Sequence, residues 1–163
     1  MQKKFDADFA AFVKGSKTPD GYKAYGLVIR TGGKYDTLYS CSYVCRGEED
    51  ELENETTSAW MEYEAIVKAA SIIARGKSVA IYTNNETAVR VFNGEWKAKK
   101  HRDLLKEMGR WAEKREVGVR LAFHQGDWQE YVDDGMIAAE LMCRTAVDDV
   151  RSGRVKSLPA TRF

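Results

Sequence analysis

The order of apolar runs predicts an α/β fold, a mixed sheet flanked by helices. Three observations carry this reading. Three strand-like runs follow one another within the first 45 residues. Two later runs, Ser78–Thr83 and Val117–Phe123, are separated by segments of helical pattern, and a last helical segment covers Asp133–Val150. Strands joined by short turns favour an antiparallel meander, whereas helical crossovers favour parallel neighbours.

Phe9-Ala-Ala-Phe-Val13 is a short apolar run that ends at Lys14-Gly15-Ser16. The turn-rich KTPDG leads into Ala24–Ile29, Gly32-Gly33 marks a hairpin turn, and Thr37–Cys45 is the third strand. Ser58–Arg75 is rich in helix formers and Gly76 closes it. Ser78–Thr83 suits a buried strand, Glu86–Phe92 a short helix broken by Asn93-Gly94, and Lys99–Arg115 an amphipathic helix with Leu104, Leu105, Met108 and Trp111 on one side. Val117, Val119, Leu121 and Phe123 alternate with period 2, the signature of a half-buried strand. The chain reads as one domain over 1–150 and a basic, mobile tail over 151–163.

Composition narrows the function classes. With 26 Lys+Arg against 25 Asp+Glu the formal charge is +1, so no global field draws in nucleic acid and any polyanion site must be local. No apolar run reaches the roughly 18–20 residues of a membrane helix. Cys41 and Cys45, four residues apart on one strand, lie about 13 Å apart, too far for a bridge. The 3 cysteines therefore read as free thiols in a reducing, cytoplasmic setting, and no Cys/His cluster supports zinc.

Polar groups at the carboxyl ends of buried strands are natural places for a site. Lys14, Asn84 and His124 each follow an apolar run. Glu62 shares a helical face with Ile66, Ala69 and Ile73, and Asp134, with Asp133 competing, is placed in the first turn of the last helix.

These residues carry a resemblance. Val13-Lys14-Gly15-Ser16 resembles the Thr-Asp-Gly-Ser that ends the first strand of ribonucleases H, and Ala24-Tyr25-Gly26 resembles their second strand. Thr56-Thr57 with Met61-Glu62-x-x-Ala65 resembles their first helix motif, and Tyr82-Thr83-Asn84 resembles Tyr-Thr-Asp at the end of their fourth strand. Gly94–Lys99 resembles a run of bacterial members, and His124-Gln-Gly-Asp127, with Asp134 ten residues after the His, resembles their catalytic loop. The resemblance implies a ribonuclease H-like fold: a five-stranded sheet of order 3-2-1-4-5, its first three strands antiparallel and strands four and five parallel to strand one.

It also implies a reaction, cleavage of the RNA strand of an RNA–DNA hybrid by two Mg²⁺ held about 4 Å apart by four carboxylates. Here the first carboxylate position is Lys14 and the third is Asn84, leaving Glu62 and Asp134. An ammonium has no lone pair to offer a metal, and at an effective dielectric of 20 a divalent ion ~4 Å from it is repelled by roughly 8 kcal/mol. The paired Asn that touch the hybrid in ribonucleases H fall on Ser58-Ala59. The expectation is a degenerate site of Lys14, Glu62, Asn84, His124 and Asp134, with Lys14 Nζ pairing with Glu62 or Asp134 and no metal or other cofactor.

The function expected is a non-catalytic binding or scaffolding module. Residues 94–116 carry eight Lys/Arg and five Asp/Glu, with Trp96, Lys97, Lys99 and Lys100 as the candidate nucleic-acid contacts. Against nucleic acid stands the acidic run Glu48–Glu55, so a protein partner or self-association through a sheet edge is the rival. The alternative is a Mg²⁺-dependent ribonuclease H, active through one metal or another acid such as Asp6, Asp20 or Asp127.

Overall fold

A computed structural model of the chain describes residues 5–46, 58–95, 104–124 and 129–154. Strands β1 (Phe9–Lys17), β2 (Tyr22–Thr31), β3 (Thr37–Arg46), β4 (Ser78–Thr83) and β5 (Gly118–Phe123) form one sheet of order β3-β2-β1-β4-β5. The first three are antiparallel neighbours, and β4 and β5 run parallel to β1, as the sequence predicts. Helices α1 (Ser58–Ile72), α2 (Glu86–Phe92), α3 (Leu104–Lys114) and α4 (Gln129–Arg151) complete the fold.

Period-2 alternation sorts the strand side chains onto two buried faces. Ala11, Val13, Leu27, Ile29, Val79 and Ile81 pack with α1 and α3 residues such as Ile66, Ala69 and Leu105. Ala10, Phe12, Val28, Ala80 and Tyr82 pack under α4, on Val132, Met136 and Ala139. Two glycines set how close α4 comes. A Cβ on Gly26 would sit 2.2 Å from the Ala139 carbonyl oxygen, and one on Gly135 would sit 2.5 Å from the Phe12 ring. Any other residue at either place would push helix and sheet apart.

Several boundaries differ from the sequence reading, and β2 extends two residues beyond Ala24–Ile29 at each end. β1 does not stop at Val13: Lys14–Lys17 stay paired antiparallel with Lys23–Gly26, up to the turn at Gly21. The parallel β1–β4 seam does end earlier, at Phe12 opposite Tyr82, and Lys14 lies just past it. α1 stops at Ile72, ahead of Gly76, whose φ of 82° only glycine adopts readily. α4 begins at Gln129, so Asp133 and Asp134 lie in its second turn. It also runs through Arg151, which two hydrogen bonds of 2.9 and 3.0 Å tie to Asp20. Among the described residues no helix is long and apolar enough to cross a membrane.

Candidate functional site

The strand ends gather the predicted residues where the parallel seam finishes. Glu62 projects from the buried face of α1 and is 7% exposed. Among the described residues its Oε1 is buried without a hydrogen-bond partner. Burial pushes its carboxyl up to about 7, against the opposing pull of the Lys14 charge, the Thr83 hydroxyl and the Gly15 backbone N–H. Lys14, half-buried in β1, thus acts on Glu62 through space. The contact ion pair expected from Lys14 to Glu62 or Asp134 is not formed among the described residues: Lys14 lies on the α4 side of β1, whereas Glu62 comes from the α1 side.

Asn84 and His124 follow β4 and β5, which end side by side at Thr83 and Phe123. The His124 backbone N–H donates to the Thr83 carbonyl at 3.1 Å. On its side chain, Nδ1 meets Asn84 Oδ1 at 2.9 Å and Nε2 contacts Asp133 Oδ1. The next residue, Asn85, accepts from Ala88 N–H through its side chain and caps α2.

The two adjacent acids of α4 part company. Asp133 turns to His124, whereas Asp134 pairs with Arg30 Nη1 at 2.8 Å. Arg30, 4% exposed, is held by the rings of Phe12 and Tyr35, 5.5 and 5.8 Å from its guanidinium carbon. The sequence reading did not single it out, although a signal existed: Arg30 shares parity with Val28 and so points to the face α4 covers. Asp6 and Asp20 are likewise engaged, by Arg120 at 2.8 Å and by Arg151. The Arg151 guanidinium holds the Asp20 carboxyl down at about 2.

These donors do not fit a pair of Mg²⁺ ions. Among the described residues no three His, Cys, Asp or Glu side chains converge as a metal site. Lys14 contributes a positive charge, Asn84 offers a neutral amide in place of an acid, and Asp134 is occupied by Arg30. Trp96, Lys97, Lys99, Lys100, Asp127 and the acidic run 48–55 lie outside the described residues, as does the tail beyond Arg154.

No protein-family model and no curated protein matches the sequence. Solved structures do match. The N-terminal RNase H domain of a Mycobacterium tuberculosis protein, solved fused to maltose-binding protein, aligns with a TM-score of 0.63 at 17% identity, over 92% of this chain and 100% of that one. LC11-RNase H1, solved in complex with an RNA/DNA hybrid, aligns with a TM-score of 0.67 at 18% identity, over 88% and 99%. RNase H1 from the halophilic archaeon Halobacterium salinarum gives 0.56 at 14% identity, over 86% and 98%. The chain has the ribonuclease H-like fold.

Proposed function

We propose that the chain is a ribonuclease H-like domain, within 1–150, that binds nucleic acid without cleaving it by a metal mechanism, in a cytoplasmic setting. The observation that carries this is Lys14. It stands just past the end of the β1–β4 seam, acting on Glu62, and supplies internally the positive charge that a cluster of acids would otherwise need from a cation. Arg30 does the same for Asp134. The likeness to a structure that holds an RNA/DNA hybrid supports nucleic acid as partner, with Trp96, Lys97, Lys99 and Lys100 as the contacts.

Calorimetric titration with Mg²⁺ and Mn²⁺ tests the inert site. The expected result is no saturable binding by the natural chain, and binding by the Lys14→Asp/Asn84→Asp double variant. Cleavage of RNA–DNA hybrid by the natural chain in Mg²⁺, abolished by Glu62→Gln, overturns the reading in favour of an active ribonuclease H. For the partner, affinity for hybrid should fall with salt by about one log-slope unit per phosphate contact, and replacing Lys97, Lys99 and Lys100 by Ala should flatten that slope.

One observation favours a second reading, a protein partner or homo-oligomer. β3 is an edge of the sheet and carries no charged residue from Thr37 to Cys45, so it lacks a common protection against pairing with another strand. Failure to bind any hybrid, duplex or single strand at ~50 mM salt, together with a concentration-dependent mass, would select it.

A further inference from the structure

On the face of the sheet that α4 covers, a groove of about 190 Å³ runs between the end of β1 and the C-terminal half of α4. Three cations, Lys14, Arg144 and Arg151, and two carboxylates, Glu140 and Asp148, line it. The cations are not equally available. Arg151 is closed off by its two hydrogen bonds to Asp20 and by Asp148 at 3.5 Å. Among the described residues Arg144 is held only by Glu140, at 3.4 Å, and both of these side chains are more than half exposed. Lys14 makes no ion pair among the described residues.

Two further side chains shape the inner end. Ser16 Oγ meets Cys143 Sγ at 3.2 Å. Burial pushes the Cys143 thiol up, so it remains a neutral S–H. With the thiol donating to Ser16 Oγ, the serine hydroxyl proton is free to turn into the groove. An ammonium, a hydroxyl and a guanidinium then surround one opening. Its volume is below the ~300 Å³ at which drug-sized pockets begin, so it suits one compact anion. Donors from three directions match tetrahedral oxygens, and Lys and Arg are the usual cations for phosphate.

We propose that this groove binds a phosphoryl oxyanion, with Lys14 Nζ and Ser16 Oγ–H donating from β1 and Arg144 donating from α4 once it exchanges Glu140 for the ligand. The site goes beyond the function proposed above and holds whether or not a nucleic acid is the partner. A free phosphate and the terminal phosphate of a strand present the same chemistry.

The experiment is a titration of the full chain at pH 7.5 followed by ¹H–¹⁵N spectra. One arm uses inorganic phosphate, and a second uses a short DNA single strand with and without a 5′-phosphate. Saturable shifts are expected at the amides of Ser16, Thr18, Cys143 and Arg144. Lys14→Met and Arg144→Gln should each weaken phosphate by about tenfold, the worth of a hydrogen bond to a charged group. Glu140→Gln should tighten it by removing the internal competitor. Because Arg144 is exposed, its variant keeps the test open even if Lys14→Met fails to fold. A terminal phosphate that binds much better than inorganic phosphate identifies a strand end, and equal binding identifies free phosphate; both support the site. Shifts that do not saturate, an unchanged affinity in Arg144→Gln, or weaker binding in Glu140→Gln overturn it.

Discussion

The two walls of the site handle charge in opposite ways. Around the ends of β4 and β5 and on α4, side chains pair by contact: Asn84 with His124, His124 with Asp133, and Asp134 with Arg30, whose Nε is itself buried without a hydrogen-bond partner among the described residues. On the wall formed by β1 and α1, Glu62 is buried with an unpartnered oxygen, and Lys14 reaches it only through space. A partnered wall has its side chains fixed by direct contacts. An unpartnered one answers to pH, because removing or adding one proton is the cheapest way for a buried carboxyl to adapt. The contrast locates the adjustable half of the site on Lys14 and Glu62.

Three changes test that contrast. The largest effect is expected from Arg30→Ala, which removes a buried guanidinium from between Phe12 and Tyr35 and leaves a cavity under α4. The loss should be about 3–4 kcal/mol in urea unfolding, most of it from packing because Asp134 is half exposed and stays solvated. A loss below about 1 kcal/mol would show that the partnered wall does not depend on its arginine.

The next effect belongs to Glu62 and depends on pH. Its carboxyl is near 4.5 in the unfolded chain and about 7 in the folded one. Between these values the folded state holds a proton that the unfolded state has released. Stability should therefore be full below about 4.5 and fall as pH rises towards 7, by about 3 kcal/mol in all. Glu62→Gln should remove that fall, being more stable than the natural chain at pH 8 and no more stable at pH 4. Parallel pH profiles for the two proteins would rule out the unpartnered wall.

The smallest effect is expected from His124→Ala. It removes the contacts to Asn84 and Asp133 at a half-open surface, at a cost of about 1 kcal/mol. The pH profile assigned to Glu62 should survive unchanged, since His124 stands on the other wall. Its disappearance would show the walls to be coupled.

Much of this was legible in the sequence, and for identifiable reasons. The buried run Ser78–Thr83 and the alternating Val117–Phe123 declare strands by composition and period, and α1 declares its inner face through Ile66 and Ala69, both of them buried. β1 was read too short because Lys-Gly-Ser-Lys has no strand propensity of its own. Cross-strand bonds to Lys23–Gly26 hold it, and long-range pairing leaves no local mark. Asp133 and Asp134 could not be told apart because neighbours on a helix point about 100° apart and only the helix phase decides which faces the strand ends. The division of cations, Arg30 to Asp134 and Lys14 towards Glu62, depends on which face each strand residue takes. That is settled by register, which the sequence shows only through parity with apolar neighbours.

The close seat of α4 on Gly26 and Gly135 has a consequence for synthesis. The β1–β2 hairpin leaves the ribosome well before α4, yet Ala10, Phe12 and Val28 on one of its faces are covered by residues of α4 more than a hundred positions later. Until that helix is made, a hairpin with an oily face must wait uncovered, a state in which nascent chains meet chaperones and one another. At about 5–20 residues per second the wait lasts several seconds to about twenty. The helix that closes the core is thus also the one whose late arrival sets how long the newborn chain is exposed to aggregation.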